Sequence, residues 1–321
     1  MILAGDVGGT KTALALFDRR DGALVLERET ELSSREFPSL EDAVARFLAS
    51  PRRLRIDAAC FGVAGPVIAD AATLTNVPWR VDARRVATAF ALRRVNLLND
   101  LQAMAYAVPV LREAEVHVLQ EGEPLRGGNI ALIAAGTGLG EALLHNVDGR
   151  FIPSPTEAGH ADFAARTERE MRLVRELTAR FGRVDVERVV SGRGLINVHT
   201  VTHRQPCSAG IDVDDVDAPA AISLAALDRR CADCMEALDL FIEAYGAEAG
   251  NLALRSVSTG GLFIGGGIAP KILQALTTGS FMRAFRDKAP LETMLGGMPV
   301  KVILNAEAGL IGSAVYAASL T

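Results

Sequence analysis

The sequence predicts an α/β fold assembled from two related halves, and three observations predict it. Short apolar runs at residues 2–6, 57–63, 130–135 and 262–264 each lead into a glycine turn, the pattern of buried strands. A gapless shift of 127 positions lays Gly9-Thr10 on Gly136-Thr137, Ala15-Leu16 on Ala142-Leu143, and Asp21-Gly22 on Asp148-Gly149. Each half therefore reads strand, Gly-Thr turn, strand, Asp-Gly turn, as two related domains would that each offer backbone N–H groups to one shared ligand. Finally, the apolar run Val95, Leu97, Leu98 closes on Asn99-Asp100 just where an Ala/Met/Leu helix pattern starts. Ligands of open α/β sheets sit at the carboxyl ends of strands, so that position suits chemistry.

Bulk properties narrow the class. A chain of 321 residues, 49% hydrophobic, supports two domains or one large one with a substantial core. A net charge of −5 and no long basic run argue against nucleic acid. No apolar run approaches the roughly 20 residues that span a bilayer, and a glycine motif follows Met1-Ile2-Leu3 too closely for a signal peptide. Four cysteines in a chain this size suggest reduced thiols. The expectation is a soluble cytoplasmic protein.

In chain order, residues 2–6 form a first strand and Gly8-Gly9-Thr10 a tight turn. Residues 12–17 and 24–29 make a hairpin closed by Asp21-Gly22. Ser39 caps a helix over residues 40–48. The strand at 57–63 ends in a second sharp turn, Gly62 to Pro66, and the loop 75–79 holds the only tryptophan, Trp79. Strand 130–135 enters Gly136-Thr137-Gly138-Leu139-Gly140, and the proline-bearing stretch 153–160 reads as a loop. A charged helix covers 168–181, and a surface loop covers 205–219. One long helix is expected from 222 to 254, with a break near Gly246. After strand 262–264 comes Gly265-Gly266-Gly267, where Pro270 suits the first turn of a helix. Strand 300–304 and helix 310–319 complete the chain, the helix packing back on the first domain.

Three glycine turns, each directly after an apolar strand, suit a nucleotide cradle better than three unrelated hairpins. Neither of the first two is a standard phosphate motif. In the first, Thr10 stands where a P-loop needs glycine before Lys11. In the second, the spacing of Gly136, Gly138 and Gly140 fails the dinucleotide fingerprint. Asn99 or Asp100 alone reads as a helix cap, and Glu157 and His160 alone read as solvated loop residues. Glu187 alone reads as a surface residue on a short helix. His199-x-x-x-His203, Cys207 and Cys231-x-x-Cys234 have the residue types of a structural zinc. Cys231 and Cys234 nevertheless fall inside a strong helix pattern, three apart on one face, where cysteine acts as a small buried apolar residue. No metal is expected.

Taken together, Gly5-Asp6-Val7-Gly8-Gly9-Thr10, Leu98-Asn99-Asp100, Gly136 to Gly140, Glu157-Ala158-Gly159-His160, Glu187 to Gly192 and Gly265-Gly266-Gly267-Ile268 resemble the bacterial glucokinase family over nearly the whole chain. Ala158, where glycine is commoner, and Lys11, where Asn is frequent, are small departures. The resemblance implies a two-lobed ribonuclease H-like (actin-like ATPase) fold with the active site in the interdomain cleft. Its lobes would be residues 1–110 with 301–321, and residues 111–300. It implies a glycolytic ATP:glucose 6-phosphotransferase, with a kinase for another hexose or a sugar-responsive regulator as alternatives. Asp100 would be the base. Asn76, Asn99, Asp100, Glu157, His160 and Glu187 would hold the sugar. Gly5, Asp6, Val7, Gly8, Gly9, Thr10, Gly136, Thr137 and Gly138 would hold phosphates, and Gly265, Gly266 and Gly267 the adenosine side. ATP with Mg²⁺ would be the donor, with Asp6 a water-mediated partner of the ion. Glucose and ATP would be the only partners beyond a second copy in a homodimer.

Overall fold

The computed structural model describes residues 1–49, 54–74, 77–203 and 206–321. The chain divides into two compact units, Met1–Arg112 with Asn305–Thr321, and Glu113–Leu304.

The first unit starts with β1 (Ile2–Val7), β2 (Lys11–Arg20) and β3 (Ala23–Ser33), an antiparallel meander. Asp21 and Gly22 turn the second hairpin with φ of 51° and 83°, both positive as a type I′ turn requires. Helix α1 (Leu40–Leu48) follows, its Asp42 N–H donating to the Ser39 hydroxyl at 3.2 Å. Next come β4 (Ala58–Val63), the small hairpin β5 (Ala71–Thr73) and β6 (Arg80–Asp82), α2 (Ala83–Phe90), β7 (Val95–Asn99) and α3 (Asp100–Ala107). The five-stranded sheet runs β3-β2-β1-β4-β7, with β4 and β7 parallel to the first strand. Alternation along β1 sorts its side chains. Leu3 and Val7 enter a core with Leu40, Val44, Phe47 and Trp79, while Ile2 and Ala4 enter one with Ala103, Leu310 and Ala314.

The second unit repeats the plan. It contains β8 (Val116–Gln120), β9 (Ile130–Ala135), β10 (Leu139–Val147) and β11 (Arg150–Thr156). The helices α4 (Glu168–Phe181), α5 (Gly192–Thr202), α6 (Ala218–Leu227) and α7 (Ala232–Ser256) follow. After β12 (Gly261–Gly265) come the short helices α8 (Leu273–Leu276), α9 (Ser280–Arg286) and α10 (Glu292–Gly297), then β13 (Val300–Ile303). Sheet order is β11-β10-β9-β12-β13-β8, so an antiparallel meander again continues into two parallel strands. Asp148 and Gly149 have the same φ pair, 51° and 83°, as their counterparts in the first half. The last helix, α11 (Ala308–Ser319), returns to the first unit and closes its second core with Leu310, Ala314 and Ala317. No helix among the described residues is long and apolar enough to cross a membrane.

The structure corrects three sequence expectations. The first half of the stretch read as a loop, 153–156, belongs to strand β11 at the sheet edge, and a 3₁₀ turn, Ala158–His160, follows. Pro153 and Pro155 are two apart, so both present their missing N–H on the same side, where an edge strand needs no donor. The long helix breaks not at Gly246 but between Leu227 and Ala232, where Arg229 takes φ of 56°. Cys231 therefore caps α7 instead of lying inside a helix. Gly246 is small for a packing reason: a Cβ there would lie 2.2 Å from the Phe281 carbonyl oxygen. Finally, Pro270 precedes the helix that begins at Leu273, in a run of turns.

Candidate active site

In the first unit, β1 delivers Asp6 and β7 delivers Asn99 to the carboxyl ends of the two parallel strands that flank β4. Asn99 is the cap of α3. Its Oδ1 accepts from the N–H groups of Leu101 (2.9 Å) and Gln102 (3.3 Å), and its Nδ2 donates to the Gly65 carbonyl (3.2 Å). One amide thus joins the turn after β4 to the start of α3. Asp100 follows as the first helical residue, its Oδ1 accepting from Leu101 N–H at 2.8 Å. The cap reading and the catalytic reading describe one arrangement, because the cap fixes where Asp100 points.

Asp100 keeps an exposed face, yet the protein around its carboxyl withdraws enough water to raise its pKa, against the backbone N–H groups that lower it. Burial, and then the negative Asp100, push Asp6 up to about 6. Among the described residues, neither carboxylate has an ion-pair partner. Gly309 on α11 lets Asp6 fit, since a Cβ there would lie 2.9 Å from Asp6 Oδ2.

The turn between the first two strands is held from below. Gly8 N–H donates to Lys11 O (2.9 Å), the Ser34 hydroxyl to Gly8 O (2.7 Å), and Ser34 N–H to Thr10 O (3.0 Å). Buried Thr12 shares a 2.8 Å hydrogen bond with Ser34. Half-buried Gly8 and Gly9 and exposed Thr10 form the turn itself, whereas Gly5 and Val7 serve the sheet. A Cβ on Gly5 would collide with the Phe61 ring, and Val7 is fully buried. Asn76 lies outside the described residues.

The second unit gathers its own set. Glu187 is the hub. Its Oε2 accepts from Leu139 N–H at 2.9 Å, and its backbone N–H donates to Gly159 O at 2.9 Å. The glycine turn 136–140, the single 3₁₀ turn Ala158–His160 and the loop before α5 therefore meet at one carboxylate. Gly138 is glycine because a Cβ would lie 2.5 Å from Glu187 Oε2, and Gly159 because one would lie 2.3 Å from Leu139 O. Gly192 N–H donates to Gly136 O (2.8 Å), and the Ser191 hydroxyl to Glu187 O (2.7 Å). Thr137, Glu157 and His160 are exposed. His160 Nδ1 stands 3.8 Å from Oδ2 of the buried Asp185. Gly266, with φ of 82°, would put a Cβ 2.3 Å from Ala135 O, while Gly267 faces open space. Tyr245 on α7 supports the same place, its hydroxyl accepting from Ala135 N–H at 3.2 Å.

Sequence reasoning missed Ser34, Gly309, Asp185 and Tyr245. Each acts through a partner distant in sequence, and none sits in a pattern that announces one. Of the chosen residues, the structure brings Asp6, Asn99 and Asp100 together in one unit. In the other it joins residues 136–138 with Glu157, His160 and Glu187 and with the turn 265–267.

A model of the glucokinase family matches residues 3–320. The glucokinase of Nostoc punctiforme is 39% identical, with 100% of this chain and 99% of that protein covered. The glucokinase of a Synechocystis species is also 39% identical, over 98% and 97%. Among solved structures, a glucokinase from an Antarctic psychrotroph superposes with a TM-score of 0.89 at 30% identity, covering 99% of this chain and 98% of that one. A glucokinase of the ROK family from Streptomyces griseus, solved with glucose and AMPPNP, shares the fold at 21% identity and a TM-score of 0.64, with 99% of each chain covered. The fold is the two-lobed actin-like ATPase fold of sugar kinases. With full-length relatives and a family match that takes in every motif described above, the chain belongs to the glucokinase family, enzymes that phosphorylate glucose.

Proposed function

We propose that this chain transfers the γ-phosphoryl group of ATP to the 6-hydroxyl of glucose, giving glucose 6-phosphate and ADP. The observation that carries the reading is the carboxylate of Asp100, aimed by the Asn99 cap and left without a cationic partner beside Asp6. An alcohol is a far weaker acid than a carboxylic acid of pKa about 3.9, so Asp100 does not create an alkoxide in advance. It aligns the 6-hydroxyl and takes its proton late, as the bond from O6 to phosphorus forms and the bond from phosphorus to ADP breaks. The raised pKa makes it a better acceptor for that proton.

Gly8 and Gly136 use their N–H groups to close the turns, on Lys11 O and Gly138 O, and the N–H groups that follow them, at Gly9 and Thr10 and at Thr137 and Gly138, bind phosphate oxygens. Gly267, open where Gly266 is crowded, gives the adenosine side its close backbone approach. Glu157 and His160, with the oxygen of Glu187 that Leu139 does not use, bind sugar hydroxyls as paired acceptors and donors. The two uncompensated carboxylates of the first unit fit a divalent cation. Asp6 would hold Mg²⁺, which would supply neutralisation of phosphate charge when bound. The same reading takes the protein to be a cytoplasmic homodimer, which light scattering on purified protein checks.

A coupled assay with ATP and Mg²⁺ against glucose, mannose, fructose and N-acetylglucosamine tests the proposal. The expected result is the highest kcat/KM on glucose. Turnover restricted to another sugar, or to none, overturns it.

A further inference from the structure

Three cysteines and two histidines that phosphoryl transfer does not use converge in the second unit. His199 and His203 are one turn apart at the end of α5, and Cys207 lies in the following loop. Cys231 caps α7 and Cys234 lies in its first turn. Cys207 Sγ is 3.9 Å from Cys231 Sγ and 3.7 Å from Cys234 Sγ. His203 Nε2 is 3.4 Å from Cys231 Sγ and 3.8 Å from Cys234 Sγ. We propose that Cys207, Cys231, Cys234 and His203 form a tetrahedral structural zinc site.

The spacing fits the ion. Zinc–sulfur bonds of about 2.3 Å and zinc–nitrogen bonds of about 2.0–2.1 Å set tetrahedral edges of about 3.8 Å between sulfurs and about 3.6 Å between sulfur and nitrogen. A disulfide needs sulfurs about 2.05 Å apart, and all four cysteines are free. Packed thiols alone can reach similar separations, but packing does not account for the imidazole. His203 Nδ1 lies 2.9 Å from the His199 carbonyl oxygen, to which it donates as the protonated nitrogen. That bond leaves Nε2 a bare lone pair facing the sulfurs, the support that metal-bound histidines receive. The helix start adds to this. Cys234 N–H donates to Cys231 Sγ at 3.5 Å, and the N-terminus of α7 favours a thiolate there.

His199 completes the setting. It is buried, neither ring nitrogen has a protein partner, and its ring stacks on His203 with centroids 3.6 Å apart. The ligand atoms of His199, His203, Cys207 and Cys234 all lie within 4.8 Å of one another, so His199 competes for the fourth position. Cys231, 3.9 Å from Cys207 Sγ and 3.4 Å from His203 Nε2, fits tetrahedral edges and is assigned to it. Four N and S donors from protein, with a thiolate majority, select zinc over magnesium or calcium and leave no open position for substrate. The ion would staple the end of α5 and the loop at Cys207 to the start of α7.

Metal analysis of untagged protein purified without chelator tests this. About one zinc per chain is expected, lost to about a tenth in Cys207→Ser, Cys234→Ser and His203→Gln but kept in His199→Gln and Cys60→Ser. If those ligand variants do not fold, wild-type protein gives the answer. Cobalt added to protein stripped of metal should produce sulfur-to-cobalt charge transfer and the strong visible bands of a tetrahedral site, and a mercurial should release zinc in step with thiol loss. Wild-type protein without stoichiometric zinc and with no cobalt spectrum overturns the site, as does a disulfide between any two of the three cysteines.

Discussion

The turn at residues 8–10 and the turn at 136–140 each close the first hairpin of a three-stranded meander, and both meanders make their second hairpin with an Asp-Gly pair of identical φ. Their supports differ in kind. The hydroxyl of Ser34, just past β3, holds the first with that of Thr12 on β2. A carboxylate from a distant loop, Glu187, holds the second, with the Tyr245 hydroxyl behind it. Charge explains the choice. Asp100 already raises the cost of ionising Asp6 beside the first turn, so another carboxylate there would add repulsion, whereas neutral hydroxyls add none. Beside the second turn a carboxylate is tolerated, and it can serve a sugar as well. The shared backbone offers a glycine turn twice, and the side chains around each turn differ.

The largest expected effect breaks the first half. Asp100→Ala should lower kcat by about 10²-fold or more while ATP binding, followed by calorimetry, persists. Turnover close to wild type would remove Asp100 as the base. Glu187 sharpens the second half through a pair of variants. Glu187→Ala loses both the support of Leu139 and the proposed sugar contact, so KM for glucose and for ATP should each rise by roughly tenfold, the worth of one strong hydrogen bond. Glu187→Gln keeps an acceptor for Leu139 and should raise the glucose KM alone. Identical behaviour of the two variants would mean that the turn and the sugar are not separate duties.

Two smaller effects depend on pH. The pKa of Asp6 is raised from 3.8 to about 6, so its contribution to stability is complete below about 3.8 and lost as pH rises through about 6. Mg²⁺ should therefore raise the Tm by a few degrees more at pH 8 than at pH 5, and Asp6→Asn should abolish the difference. A Tm gain independent of pH would place the ion elsewhere. In the second unit, burial and then the negative Glu248 push fully buried Glu141 up to about 8, against the pull of Arg255. Its stabilising contribution is complete below about 4.5 and is lost as pH rises to about 8, so Glu141→Gln should raise the Tm more at pH 9 than at pH 5. An equal gain at both would show that the charge is not the cause.

Much of the fold is legible because its signals are local. Ser39 marks a helix start within one turn, and the Asp-Gly pairs mark hairpins within two residues. What escapes is set by distant partners. Prolines 153 and 155 look like loop residues until the edge position of β11 is known. Gly246 looks like a break until Phe281 is found against it. The site divides the same way. Glycine turns and Asn99-Asp100 are contiguous and readable, but the Glu187 bond spans 48 residues and the Tyr245 bond 110, beyond the reach of any local pattern.

The position of α11 in the chain has a consequence for synthesis. This helix lays Leu310, Ala314 and Ala317 against Ile2, Ala4 and Ala58, yet the ribosome makes it only after the whole of the second unit. The second unit is contiguous and can close as it emerges, whereas the first 112 residues must wait with one sheet face open to water. An arrest series of nascent chains should show residues 113–304 gaining protease resistance before residues 1–112, which become resistant only once residue 319 has cleared the tunnel. The half that carries the proposed base is therefore the first half synthesised and the last to mature.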